Sequence, residues 1–158
     1  MSVYVFGYGS LINMESNSEL NNCSNKKFCP VTVKGLKRSL NVAGKNHRVF
    51  GVKDVKTSLC NGILFKVNEK ELYNLTNREK LYTMKPLSKD RIMFNYKKCI
   101  TFKPNDTVIC FYPMAKHVLT KNKLNTKPIN EDYLKICING SSKINDTFLE
   151  DFIKTTTI

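Results

Sequence analysis

The chain has 158 residues, 41% of them hydrophobic and 25% charged. That suffices for one domain able to bury roughly 70% of the surface its unfolded chain exposes, and it excludes compositional disorder. The formal net charge is +13, from 26 Lys and Arg against 13 Asp and Glu; the excess is scattered (Lys26-Lys27, Lys97-Lys98, Lys121, Lys123, Lys127), with no basic arm and no zinc finger. A solvated lysine surface, or one that attracts a small anion, is therefore expected ahead of nucleic-acid binding.

Residues 3–6 read as a strand that starts almost at the first residue. It runs into Gly7-Tyr8-Gly9-Ser10 and Leu11-Ile12, where two glycines around one aromatic permit a tight turn or a close backbone approach. Residues 15–29 are polar and predict a loop with room for a short helix. Residues 31–42 alternate as a strand does, with Gly35 marking a bulge or bend. Residues 47–55 predict a further short strand or turn, and 59–67 a strand with Ile63, Phe65 and Val67 on one side.

Asn68-Glu69-Lys70-Glu71 has the form of a capping box and opens a helix. Leu72, Leu75 and Glu79 follow at helical spacing, with Tyr82 at the next repeat. After Pro86, strands are expected over 91–96, over 99–102 and, beyond the Pro104-Asn105-Asp106 turn, over 107–112. Residues 116–128 read as a basic surface loop. One helix near 130–138 should end at Gly140, and a last one, capped by Asn145, carries Phe148, Leu149, Phe152 and Ile153 on one face. No repeat or linker divides the chain, so 1–158 is expected to be a single domain. Strands outnumber helices without βα alternation, which predicts an α+β fold with a strongly curved sheet or a small mixed β-barrel with flanking short helices.

Six cysteines (Cys23, Cys29, Cys60, Cys99, Cys110, Cys137) lie at irregular spacings with no CxxC pair. They read as buried free thiols in a reducing compartment, not as a disulfide framework. His47 and His117 are the only imidazoles, so a zinc site would need distant, mixed ligands, and no metal or cofactor is expected. The N-terminus lacks the features of a signal peptide, and no run approaches the ~20 apolar residues that span a bilayer. A cytoplasmic protein without a membrane partner is the expectation.

Two features could carry chemistry. The turn at Tyr8, Gly9, Ser10 and Leu11 is either an ordinary glycine-rich connection or a nest of backbone N–H groups for a carboxylate or carbonyl. It lacks the third glycine and long helix of a dinucleotide fingerprint, and the lysine of a Walker loop. Glu79, between Arg78 and Lys80, is either a solvated charge at a helix end or a carboxylate at the edge of the core, where lost hydration would raise its pKa. Ser10 sits in no GxSxG elbow and both histidines are remote in sequence, so serine-hydrolase chemistry is not expected.

Val5-Phe6-Gly7-Tyr8-Gly9-Ser10-Leu11-Ile12 resembles the opening of the gamma-glutamylcyclotransferases, most closely the ChaC-like branch that acts on glutathione. Val33-Lys34-Gly35-Leu36-Lys37-Arg38 is similar to that family's second strand. Residues 62–67 followed by Leu75, Arg78, Glu79 and Lys80 are similar to the strand and helix that deliver its essential glutamate. Residues 133–138 with Gly140, Ser142, Asn145 and Phe148-Leu149 look like the branch's closing helices. Asn13 stands where that branch usually has tryptophan, and Leu81 where it has glycine.

The resemblance implies a small mixed β-barrel with flanking helices, no cofactor, and an intramolecular reaction. The α-amino nitrogen of a gamma-glutamyl group would close onto its own side-chain carbonyl, giving 5-oxoproline and, from glutathione, Cys-Gly. It further implies Glu79 as the proton shuttle, Tyr8, Gly9, Ser10 and Leu11 as the substrate cradle, and Arg38, Tyr82 and Tyr112 as pocket residues. Other gamma-glutamyl amino acids or amines are the alternative substrates. A non-catalytic polyanion-binding protein of the same fold is the alternative of a different class. Monomer and homodimer are both open.

Overall fold

The computed structural model describes residues 1–13 and 27–158. Most of the loop expected over 15–29, with Cys23, lies outside the described residues; Phe28 and Cys29 already belong to a strand. Among the described residues seven strands form one sheet: β1 Val3–Gly7, β2 Phe28–Ala43, β3 Arg48–Val67, β4 Tyr82–Leu87, β5 Ile92–Met93, β6 Thr107–Pro113 and β7 Thr156–Thr157. Three α-helices accompany it: α1 Glu69–Arg78, α2 Glu131–Ile144 and α3 Asp146–Lys154. The strand order is β4-β6-β1-β3-β2-β5, with β7 also on β2; the β1–β6 and β2–β7 pairs are parallel and the others antiparallel.

The α+β architecture is the one expected, but the sheet is not closed into a barrel. Closure requires the two edge strands to pair along a common tilt. Here β4 and β5 stand at opposite ends of the order, and the two residues of β5 offer no edge to close against.

The β2/β3 hairpin is the frame. Residues 47–55 and 59–67, expected as separate elements, form one strand of 20 residues, because β2 continues to pair with both parts. Curvature comes instead from register shifts between Lys34 and Leu36 and between Ser39 and Val42. Gly35 sits at the first of these with φ 76°, a left-handed conformation that side chains disfavour.

The capping box forms as the sequence predicts. The Asn68 side chain accepts from Glu71 N at 2.8 Å, and Glu71 Oε1 accepts from Asn68 N at 3.0 Å. Helix α1 nevertheless stops at Arg78, with Glu79 as its C-cap and Tyr82 opening β4. Six registered pairs from Tyr82↔Pro113 to Leu87↔Val108 outweigh the local helical spacing of Tyr82. Pro86 fits because β4 is an edge strand. The strand expected over 91–96 shrinks to Ile92–Met93, and 99–102 is irregular. Helix α2 runs through Gly140, where a Cβ would come within 2.8 Å of the Asn13 backbone, so this glycine serves close packing and not helix termination. On α3, Phe148 and Phe152 are buried, while Ile153 is 60% exposed, so the apolar face is narrower than expected.

The core lies between the sheet and the helices around Phe6, Phe50, Phe65, Leu75, Phe148 and Phe152. No helix among the described residues is long and apolar enough to cross a membrane. At Gly62 a Cβ would stand 2.3 Å from the Gly7 carbonyl oxygen and 2.7 Å from the Phe6 ring. Gly62→Ala should therefore lower stability by roughly 3 kcal/mol, the upper end of ordinary overpacking, because a backbone oxygen cannot yield. A urea midpoint equal to wild type would contradict this packing.

Candidate active site

β1 delivers the chain into a turn that its glycines make possible. A Cβ on Gly7 would meet Leu11 Cβ at 2.7 Å, and one on Gly9 would meet the Tyr133 hydroxyl at 2.9 Å. Residues Ser10–Ile12 then form one 3-10 turn, closed by Ile12 N donating to Gly9 O (3.1 Å) and Asn13 N to Ser10 O (3.0 Å). The Tyr8 ring is buried, and its hydroxyl donates to Phe111 O at 2.6 Å.

Against this turn stands the end of α1. A cavity of about 30 Å³ is walled by Tyr8, Gly9, Ser10 and Leu11 on one side and by Glu79 and Tyr82 on the other, with Phe6, Phe50, Phe111 and Tyr133 around them. The four turn residues, Glu79 and Tyr82 thus meet in one place. The Glu79 side chain is 16% exposed, and its Oε1 lies 3.9 Å from Arg78 Nε. Arg78 Nη2 in turn donates to Ser10 Oγ at 2.9 Å, which connects the carboxylate to the turn.

Four wall residues, Phe6, Phe50, Phe111 and Tyr133, were not expected at the site from the sequence. The Tyr82 hydroxyl donates to Phe50 O at 2.5 Å, and Phe50 N–H donates to the Tyr133 hydroxyl at 3.2 Å, so two tyrosines clasp the backbone of one residue. A signal for Tyr133 exists: Tyr133, Cys137 and Gly140 share one face of α2 at helical spacing. Nothing local singles out Phe50. Burial pushes the hydroxyls of Tyr8, Tyr82 and Tyr133 above their usual pKa, and the nearby Glu79 charge adds to each shift. Neutral phenols therefore surround the carboxylate.

Arg38 and Tyr112 lie outside this wall. Arg38 is fully buried on β2 with all its donors directed at protein acceptors. Nη1 donates to Tyr8 O (3.1 Å) and Asn61 O (2.6 Å); Nη2 donates to Asn61 Oδ1 (2.9 Å), Phe152 O (3.1 Å) and Thr155 Oγ1 (2.7 Å); Nε donates to Thr156 Oγ1 (2.8 Å). Tyr112 alternates with Phe111 along β6 and so faces the other side of the sheet. Its hydroxyl donates to Asp54 Oδ1 at 2.8 Å, which also accepts from Arg91 Nη2 at 2.9 Å. Partial burial raises the Asp54 carboxyl, but these two hydrogen bonds outweigh it and hold the pKa below its usual value.

Hollows of about 810 and 560 Å³ open elsewhere, beside Lys27 and Cys99, and touch none of the expected site residues. Size would choose them; the convergence of a carboxylate and a backbone turn chooses the small cavity. Among the described residues no three His, Cys, Asp or Glu side chains gather as a metal site would need.

No family model and no curated protein sequence matches the chain. Solved structures do. One described as a gamma-glutamyl cyclotransferase superposes with a TM-score of 0.66 at 17% identity, over 100% of this chain and 90% of its own. The fold is gamma-glutamylcyclotransferase-like. A yeast gamma-glutamyl cyclotransferase specific to glutathione superposes at 0.60 with 13% identity, over 98% of this chain and 95% of its own. An uncharacterised human protein does so at 0.63 with 14% identity, over 99% and 89%. At these identities the likeness is one of fold.

Two stability predictions follow from the polar groups in and behind this cavity. Arg38→Met removes the guanidinium's hydrogen bonds to Tyr8, Asn61, Phe152, Thr155 and Thr156 and should cost on the order of 3–5 kcal/mol in urea unfolding. Arg38→Lys should recover little of that, because an ammonium cannot span the same fork. A fully stable Arg38→Lys protein would sink this structural role. The second concerns alkali. Tyr8, Tyr82 and Tyr133 ionise above the ordinary value of 10.0 when folded, whereas the unfolded chain ionises near it. Unfolding then releases protons as pH rises, so their contribution is complete below about pH 10 and is lost through the folded values above it. Urea midpoints recorded with tyrosinate absorbance should fall together there; a flat midpoint across that range would refute the shifts.

Proposed function

We propose that the protein is a gamma-glutamylcyclotransferase in which Glu79 moves the proton and the Tyr8–Leu11 turn holds the gamma-glutamyl group. The observation that carries this reading is the meeting of that turn with Glu79 in one cavity, joined through Arg78. Of the possible substrates we favour glutathione, on the resemblance of the opening motif; other gamma-glutamyl amino acids and amines would use the same chemistry.

In the proposed reaction the substrate's α-ammonium group, with a reference pKa of about 8, gives a proton to the Glu79 carboxylate. The freed amine attacks the gamma-carbonyl carbon, whose oxygen lies toward the backbone donors of the turn. The amide C–N bond breaks as the departing nitrogen takes that proton from Glu79, the ring nitrogen gives up its second proton through the same carboxylate to the released amine, and 5-oxoproline leaves. The enzyme supplies chiefly orientation, by holding amine and carbonyl face to face. The cavity is about the size of one water, so substrate entry displaces part of the wall. Tyr82, fixed by a single hydroxyl contact at the α1–β4 junction, is the side chain we expect to move.

Charge on the segment that joins two wall residues favours an anionic substrate. Residues 113–130 carry Lys116, Lys121, Lys123 and Lys127 with no carboxylate, and they connect Phe111 of the wall to Tyr133. This strap lies along the β2/β3 hairpin through Leu119 N to Asn41 O (2.8 Å) and Arg48 N to Pro128 O (2.9 Å), two residues from Phe50. The same lysines are what a non-catalytic polyanion binder would use.

Release of 5-oxoproline from glutathione, gamma-glutamyl-alanine and gamma-glutamyl-ε-lysine tests the reading. Glu79→Gln should lower turnover by about 10²–10⁴-fold while the protein stays folded. For the two anionic substrates kcat/KM should also fall as salt shortens the Debye length from about 30 to 10 Å. Failure to turn over any of the three, together with salt-dependent nucleic-acid binding, would replace the enzyme by the polyanion binder. Full activity in Glu79→Gln would remove the proton role.

A further inference from the structure

Cys29, near the start of β2, and Cys99, in the irregular stretch between β5 and β6, send their thiols to one acceptor. Cys29 Sγ lies 3.4 Å and Cys99 Sγ 3.5 Å from the Lys97 carbonyl oxygen. A shared acceptor at these two distances brings the thiols into one neighbourhood. Cys29 is wholly buried, whereas Cys99 is half-exposed on the wall of the 810 Å³ hollow. Cys60, Cys110 and Cys137 are buried in the core. Among the described residues, one accessible thiol is thus backed by a buried one.

We propose that Cys29 and Cys99 form a dithiol site, which a small disulfide such as oxidised glutathione converts to an intramolecular Cys29–Cys99 disulfide. Cys99 is the entry point, because only it can be reached from solvent, and lysines surround it: Lys97 and Lys98 precede it in sequence, and Lys27 Nζ lies 3.5 Å from its carbonyl oxygen. That positive charge attracts an anionic disulfide. The Cys99 thiolate attacks one sulfur of the small disulfide, whose S–S bond breaks and expels one thiolate. The second sulfur stays on Cys99 as a mixed disulfide. Cys29 then attacks Cys99 Sγ and displaces that second thiolate. Two protein thiols are oxidised, one small disulfide is reduced to two thiols, and the two cysteine protons end on the products.

Geometry explains why the second step would be faster than attack by a second small molecule. Burial holds the Cys29 thiol up at about 12, which makes it inert toward solutes, but its neighbour is always beside it. Cys29 is fixed in the β2–β3 ladder opposite Leu64. Cys99 belongs to no strand or helix, so it is the partner able to close to the S–S bond length of about 2.05 Å. The cross-link would tie the β5–β6 connection to β2 without touching the Glu79 cavity, and the inference does not depend on the enzymatic reading.

The test treats the whole chain with oxidised glutathione, alkylates remaining thiols after denaturation, and maps unreduced peptides by mass spectrometry. The expected result is a Cys29–Cys99 cross-linked peptide lacking two hydrogens, with Cys60, Cys110 and Cys137 alkylated. Cys29→Ser should halt at glutathione bound to Cys99, and Cys99→Ser should leave Cys29 a free thiol. Wild type that also halts at the Cys99 mixed disulfide overturns the proposal. So does a cross-link from either residue to Cys23, or a Cys29 that remains alkylatable at the end.

Discussion

The guanidinium of Arg38 is a full positive charge with no exposure to water and no carboxylate among its hydrogen-bond partners. Removing such a charge from solvent is costly unless every donor finds an acceptor. Here the acceptors come from the Tyr8 carbonyl before the turn, from Asn61 on β3, and from Phe152, Thr155 and Thr156 at the end of α3. Carbonyls at a helix C-terminus carry partial negative charge and suit a cation. The Phe152 ring, 3.9 Å from the guanidinium carbon, covers what remains. Burial lowers the Arg38 pKa, yet an arginine starts so high that the charge persists.

Because Tyr8 O is one of those acceptors, the turn is anchored from behind while its front faces the cavity. It is anchored a second time from α2. Asn13 Nδ2 donates to Ile136 O at 3.0 Å, and Gly140 lets the two backbones touch. The same helix brings the Tyr133 hydroxyl against Gly9, at a place where any Cβ would collide with it. Asn13 thus has a packing role of its own at the position where the resembling branch carries tryptophan.

Glu79 owes its place to a conflict between two local rules. Helical spacing would carry α1 on through Tyr82, but pairing with β6 takes Tyr82 into the sheet. The helix therefore ends at Arg78, and Glu79 becomes the corner residue, partly covered by Tyr82 and within reach of Arg78. A carboxylate inside a helix face would have pointed in a direction set by its neighbours three and four residues away. A corner carboxylate is aimed by the elements on either side, here toward the turn.

Local rules were enough for the elements whose stabilising contacts are also local. The Asn68 box and the Asn145 cap join partners three residues apart, so their physics is written in adjacent letters. The spacing of two that puts Arg38 on one strand face with Leu36 and Leu40 was legible. The acceptors of Arg38 were not, because they come from residues 8, 61 and 152–156, which only the folded chain brings together. The same reason separates the continuous β3, the open sheet, the corner at Glu79 and the Phe50 clasp from anything read along the chain. The sequence by itself determined the α+β class and named both the turn and the carboxylate. Tertiary structure alone decided that they share a cavity while Arg38 and Tyr112 do not, since long-range pairing and burial set distances that no spacing along the chain encodes.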